Sequence, residues 1–478
     1  MDRVCSTTNR LPILLGVLLF IPLPNLSADE PKPANSKPTD GPVSFMKDVA
    51  PILAESCISC HNSKKAESKY NMTTFAQLAK GGQQGEGITL EPGDPDASFL
   101  VELIRADGSP RMPYKLDPLP PEKVALIERW VKEGGKYDGA NPSEDWPTAL
   151  RKATPISIPE AYPATVAITA LAFSPDQQAI AASGYHEVTF WKTADGTLEN
   201  RIQGGLGERI YELAFSPDGK WMAAASGDPG RSGSVKLWPA TPHGPTPPGR
   251  DLVETTDCVF AVTFSPDSKL LAAAGADRAI RIWEVETGKQ RGMIEDHADW
   301  IFDLAFSPDG ARLVSASRDK TSKVFDAVKN ESIVTFPAHG QSVYTASFHP
   351  DGKRIFTGGE DKLIRIWNPD AEAKQSAQIG GFAGPVFRLQ FTPDGKELLA
   401  CGSDKLIRVF DSANKPVRTL TGHNDWVYSF AISQDGKSVV SGSWDGEVRL
   451  WNLPGGKLEK TILAAPGYKP AGEQAAAK

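Results

Sequence analysis

The stretch Val427-Tyr428-Ser429-Phe430-Ala431-Ile432, followed by Ser433-Gln434-Asp435-Gly436, decides how the C-terminal two thirds of this chain is read. Its apolar and small residues alternate, the mark of a β-strand with one face in a core. Ser, Asp and Gly then form a turn. A strand of small residues follows, and a further one ends at Trp451. The turn, Ser-Pro-Asp or a close variant, recurs at Pro175, Pro217, Pro266, Pro308, Pro350 and Pro393, with Gln434 at the matching place of the last copy. Successive copies lie 41 to 49 residues apart. They close on Trp191, Trp238, Trp283, Phe325, Trp367, Phe410 and Trp451. A single four-stranded unit of this size cannot bury its faces alone. A ring can, so the seven copies predict a seven-bladed β-propeller over residues 166–463.

Upstream the period changes. Phe45, Val49, Ile52 and Leu53 fall at helical spacing and lead into Cys57-Ile58-Ser59-Cys60-His61. Cys-x-x-Cys-His is the attachment signal of a c-type haem. Two intervening residues bring both sulfurs to one side of a helical turn. A thioredoxin-like redox pair would need a strand before the motif and a βαβ setting. A structural zinc site would need further ligands, and residues 42–140 hold no other Cys or His. The motif therefore calls for one covalent haem c, anchored by Cys57 and Cys60 and ligated by His61.

The Gly-rich run with Gly81-Gly82, Gly85 and Gly87 lacks the Gly-Lys-Ser/Thr ending of a phosphate loop and reads as a loop around the haem. Asp94-Pro95 is expected to open a short helix through Phe99, Leu100, Leu103 and Ile104. A last helix is expected from Pro121 to Lys132, stopped by Gly134-Gly135. The sixth iron ligand is sought among Met46, Met72 and Met112, because the domain has no second histidine. Met46 precedes the motif on its own helix, and Met72 follows His61 closely. Met112 sits in a loop far enough along to cross over, and Pro113 stiffens that loop. An iron held by His61 and Met112 has both axial positions filled. That suits outer-sphere transfer of one electron, and the thioether raises the potential.

Helix, haem motif, loop, Met-Pro, helix is the order of small class I cytochromes c, which this region resembles. In detail it is similar to the planctomycete-type cytochrome c domain through Pro51-Ile52-Leu53, Cys57 to His61, Gly81-Gly82, Pro92-Gly93-Asp94-Pro95, Met112-Pro113 and Leu126-Ile127-Glu128-Arg129-Trp130, over nearly all of residues 43–137. The repeats resemble WD40 repeats. His297, His339 and His423 each lie 28 residues before their aromatic partner, and Asp277, Asp319, Asp361, Asp404 and Asp445 lie six before theirs. The resemblance implies that these residues hydrogen-bond one another and the Trp, a structural role. Blades one and two lack the pair, and blade two carries insertions around Asp228 to Gly233 and Pro239 to Arg250. The expected fold is thus a small all-α cytochrome c domain followed by an all-β seven-bladed WD40 propeller.

Arg3 and Arg10, the apolar run Leu11 to Leu23 and Ser27-Ala28 predict a secretory signal peptide at 1–28. The run is short for a membrane span and contains Pro12 and Pro22, so no integral membrane segment is expected in the mature chain. The expected location is periplasmic or otherwise outside a bacterial cytoplasm. Residues 29–41 read as a flexible linker, 42–140 as the haem domain, 141–165 as a Pro-rich linker and 464–478 as a disordered tail. Either Leu458 to Leu463 or Ile156 to Ile158 could complete the last blade. Lys and Arg number 52 against 59 Asp and Glu, a net charge of −7 that points away from nucleic acid. Cys258 and Cys401 read as buried single thiols.

Two residues into each inner strand stand Thr169, Tyr211, Phe260, Phe302, Tyr344, Phe387 and Tyr428, with Trp300 and Trp426 two residues earlier in their repeats. This register is either packing between blades or an aromatic docking face for a protein or peptide. The expected role is a carrier docking a redox partner protein rather than an enzyme. The alternatives are a propeller that oxidises a substrate and feeds the haem, and a haem-based redox sensor or scaffold.

Overall fold

The computed structural model describes residues 41–468, apart from 59, 63–65, 83–88, 106, 109–110, 115–116, 154–157, 242–243 and 338. The expected signal peptide, the linker up to residue 40 and the tail from residue 469 lie outside the described residues.

The first domain is helical. A π turn at Phe45–Val49 runs into α1 (Ala50–Ser56), followed by α2 (Phe75–Lys80), α3 (Phe99–Ile104), α4 (Pro121–Lys132) and α5 (Trp146–Ala153). The start of α4 has Pro121 in its first turn, and its apolar face buries Ile127, Trp130 and Val131. It stops where Gly134 and Gly135 take positive φ and return N–H bonds to the carbonyls of Val131 and Trp130, both 2.9 Å. Asp94 does not open α3. Its carboxylate instead caps a separate turn through the N–H groups of Asp96 and Ala97, and the helix begins after Ser98.

Phe45 is the hub of the core, with ring centroids 5.2 Å from Phe75 and 5.4 Å from Trp130, Tyr137 and Trp146. Trp146 overturns the reading of 141–165 as one linker. It is fully buried, and its indole N–H donates to the Met72 carbonyl at 2.6 Å. Residues 141–153 therefore close the first domain. The prolines around Trp146 look like linker in sequence, but Pro147 occupies the first turn of α5, where it needs no N–H.

The rest is seven antiparallel sheets, each laid down in chain order from an inner to an outer strand. Inner strands begin at Leu171, Arg209, Val259, Ile301, Val343, Val386 and Val427. The recurrent Ser-Pro-Asp has a mechanical reason. In blade seven Ser433 Oγ donates to Asp435 at 2.7 Å and accepts the Ser438 N–H at 2.8 Å, so the turn ties the first strand to the second. Blade two lengthens its third strand to Ser232–Thr241, which pairs with both Gly244–Pro245 and Arg250–Thr255.

The C-terminus completes the last blade. Lys457–Leu463 pairs with Glu447–Asn452 as its outer strand. The ring then closes by packing Ile168, Leu171 and Ile180 against Val440, Val448 and Leu450. The segment before the propeller is stitched down as well. Tyr162 N–H donates to Pro466 O at 2.7 Å, and the Tyr162 hydroxyl donates to Glu187 at 2.6 Å. Glu187 is fully buried and also accepts from Arg201 at 2.8 Å and Gln203 at 2.9 Å. The start of the expected disordered tail is ordered for the same reason: Ala464 and Ala465 are buried, and Ala464 N–H donates to Gly446 O. Among the described residues no helix is long and apolar enough to cross a membrane.

Candidate haem site and propeller mouth

The haem motif continues the turn of α1. Cys57 N–H donates to Leu53 O at 2.9 Å, Cys60 N–H to Cys57 O at 3.2 Å and His61 N–H to Cys57 O at 3.1 Å. This winding brings Cys57, Cys60 and His61 together; Ser59 lies outside the described residues. Desolvation, then the neighbouring Cys60, pushes the Cys57 thiol up to about 12.

The chain folds back so that the Tyr70 carbonyl stands 3.2 Å from His61 Nδ1. A carbonyl can only accept, so Nδ1 carries the proton and Nε2 keeps its lone pair. Metal-bound histidines are held in this way, with the second nitrogen bonded to an acceptor. The residues present thus fit a haem: two thiols on one turn and an imidazole oriented for iron. Sequence reasoning missed Tyr70, because it acts through its backbone and carries no side-chain signal.

Burial sets Met72 apart, while Met46 and Met112 are both partly buried against the same core. Met72 is 1% exposed and belongs to the core. Met46 lies in the π turn, its N–H bonded to Asp138. Met112, with its N–H on Leu103 O at 2.7 Å, is partly buried against the same core as Cys57 and Ile58.

On the propeller, six of the seven registered positions carry an aromatic: Tyr211, Phe260, Phe302, Tyr344, Phe387 and Tyr428. Each occupies a β-bulge of its inner strand, the extra residue where pairing with the next strand skips. They touch in succession, with centroid separations of 5.0, 5.6, 5.3, 5.9 and 5.1 Å. The result is an aromatic collar around the channel mouth, interrupted at Thr169. Trp300 packs 5.7 Å from Phe260, and Trp426 lies 6.2 Å from Tyr428. Arg318 lies over Trp300 at 4.6 Å, and Trp444 joins Tyr428 at 5.7 Å. All of these except Phe260 remain partly exposed, so packing between blades does not use up the surface.

The repeated His and Asp residues fasten blades. His297, His339 and His423 bond Asp319, Asp361 and Asp445 at 2.7, 3.0 and 3.2 Å. The tryptophan link differs from the expectation: a hydroxyl mediates it. Ser441 bonds His423 Nε2 and the Trp451 N–H, both at 2.8 Å. In blade five Thr357 meets His339, and the Trp367 N–H is left without a partner. Where the histidine is absent, Asp277 and Asp404 turn to Arg281 and Arg408 four residues on, at 2.7 and 2.6 Å. His423, Asp445 and Glu447 offer donor atoms within 4.8 Å of one another, but Glu447 holds Arg449 and the other two hold each other. That group is the fastening of blade seven.

Comparison with known families accords with this geometry. The planctomycete cytochrome C model matches residues 57–115. The model of the WD domain, G-beta repeat, matches 196–239, 248–284, 288–326, 330–368, 374–411 and 414–452. The chain joins a planctomycete cytochrome c domain to a WD40 propeller. The first three strands of that WD40 propeller, from Leu171 to Lys192, precede the matched repeats. Curated relatives include the small ribosomal subunit protein RACK1 of Caenorhabditis elegans, 47% identical over 49 residues, 10% of this chain and 15% of the relative. RACK1 of Glycine max is 54% identical over 41 residues, 9% of this chain and 13% of the relative. The match thus spans less than a sixth of either relative's length. A cytochrome c domain beside a WD40 propeller supports a haem-related redox role and a protein-interaction platform.

Proposed function

We propose that this protein is an exported single-electron carrier whose propeller docks a redox partner protein. Cys57 and Cys60 would hold one haem c covalently, and His61 and Met112 would ligate its iron. The observation that carries the reading is the His61 ring, fixed through Nδ1 by the Tyr70 carbonyl at 3.2 Å within the Cys-x-x-Cys-His turn. When bound, the haem supplies a one-electron iron couple. Cys57 and Cys60 would anchor it as thioethers, His61 would bind the iron through Nε2, and Met112 would offer its thioether from the loop after α3.

Exported protein should show a c-type spectrum and haem that survives denaturing electrophoresis. Met112→Ala should lower the reduction potential and open the iron to carbon monoxide. An unchanged potential removes Met112 from its role. Haem reduction by a small substrate without a partner protein would instead make the propeller an enzyme.

A further inference from the structure

Burial along the inner strands shows which side chains face the axis. Leu213, Leu304 and Leu389 are buried between blades, whereas Ala214, Ala305 and Gln390 are partly exposed. Two residues back on the exposed side, directly beneath the collar, the blades offer small or hydroxyl side chains except at Glu212, Asp303 and Arg388. Arg388 of blade six meets Glu212 of blade two, Nη2 to Oε1 at 2.7 Å. Those blades are not neighbours, so the ion pair spans the axis and floors the mouth.

Three donors around this floor have no acceptor: Arg388 Nε, Ser429 Oγ and Arg209 Nε. Ser429 is only 1% exposed. Desolvation raises the pKa of Tyr211 and Tyr428, and the Arg209 guanidinium opposes that rise at both. Arg209 begins the inner strand of blade two, two residues before Tyr211, and its charge is felt at Tyr428 of blade seven as well. Of the acceptors nearby, Gln390 Oε1 also has no partner, while the carboxylates are taken. Glu212 holds Arg388, and Asp303 accepts from Thr345 Oγ1 at 2.7 Å, Ala346 N–H at 3.0 Å and Leu304 N–H at 2.8 Å. Buried donors are nearly always paired. Unpaired donors on the inner strands of blades two, six and seven, two of them on guanidinium groups, suit a carboxylate. The collar gives its body an apolar wall.

We propose that the propeller mouth binds a carboxylate carried on an apolar or aromatic body, with Arg388, Ser429 and Arg209 donating to it. The proposal deepens the reading of the collar as a docking surface and rests on it for the aromatic wall. The carboxylate belongs either to a free organic acid or to the end of a partner's chain.

Full-length holoprotein is titrated calorimetrically with 3-phenylpropanoate and with acetyl-Gly-Gly-Phe, each beside its neutral amide. Saturable binding of an acid, at least about tenfold tighter than its amide, is expected, and Arg209→Gln or Ser429→Ala should weaken it roughly tenfold. Tighter binding of the peptide assigns a chain end; equal or tighter binding of phenylpropanoate assigns a free acid. Arg388→Met leaves Glu212 unpaired and endangers the fold, so Arg388→Lys, with folding checked by circular dichroism, serves at that position. Acid and amide binding alike, no saturation by a folded protein, or an unaffected Arg209→Gln would overturn the proposal, the donors then holding water only. Loss of partner capture on Trp300→Ala with Trp426→Ala tests the docking reading separately, since neither tryptophan donates to the carboxylate.

Discussion

The two halves of this chain hold their function in opposite ways. In the cytochrome domain the residues proposed to anchor the haem, Cys57, Cys60 and His61, are brought together by one turn of backbone after α1. In the propeller no single stretch carries anything. A mouth exists only because seven strands, each some forty residues from the next, meet at one axis. The first half should therefore fail completely at one point, and the second by degrees.

The largest effect is expected in the first half. Cys57→Ser with Cys60→Ser should abolish haem staining after denaturing electrophoresis and leave the melting of the propeller unchanged. Any haem still attached to the denatured chain would break the contrast. Trp146→Ala should destabilise the cytochrome domain by about 3–5 kcal/mol, because a fully buried indole is removed. If residues 141–153 were merely a linker, chemical denaturation would report almost no change.

Ring closure gives the propeller one concentrated weakness. Arg201→Met strands the Glu187 carboxylate in full burial with only Tyr162 and Gln203 as partners. Removing one member of a buried pair costs about 3–5 kcal/mol. Urea unfolding should show that loss, and Glu187→Gln with Arg201→Met should recover part of it. A single mutant that melts like the parent would mean that the hydrophobic seam between blades one and seven suffices.

These sites also mark what the sequence could reveal. Cys57 to His61 is legible because its information is contiguous, and the blades because theirs is periodic. Trp146 was not, because its partner Met72 lies 74 residues away and prolines surround it. The ion pair across the axis was not, because Glu212 and Arg388 each occur once in a register of small residues. Their spacing says nothing of a meeting across the ring. The one available signal was that charge stands directly after the collar aromatic in blades two, four and six.

A smaller effect separates repeats that look equivalent. Ser441→Ala should cost about 1–3 kcal/mol, since it leaves both His423 Nε2 and the Trp451 N–H without their partner. Ser315→Ala should cost less, because Phe325 stands in place of the tryptophan, and beyond the 2.6 Å bond to His297 only long 3.3 Å bonds with the Lys323 backbone are lost. Equal costs in thermal melts would mean that the indole N–H contributes nothing to the fastening.

The smallest effect concerns acid, and here two carboxylates of the propeller oppose each other. Desolvation raises Asp445, but the His423 hydrogen bond, the N–H groups of Glu447 and Asn424 and the charge of His423 outweigh it and hold the group at about 2. Its folded value is depressed, so its stabilisation is full above the ordinary carboxylate value of about 3.9 and is lost as pH falls toward 2. Asp303 runs the other way. Desolvation, then the charge of Glu212, pushes it up to about 6, against the pull of Arg388 and the bonds from Thr345 and Ala346. A raised carboxyl binds its proton more tightly when folded, so its penalty is full above pH 6 and fades as pH falls toward about 3.9. Urea midpoints should therefore rise slightly from pH 7 to about 4.5 and fall below about 4. Asp303→Asn should erase the rise, on the order of 1 kcal/mol, and leave the acid fall intact. A rise that survives this substitution would place the titrating group elsewhere and take Asp303 out of the electrostatics of the mouth.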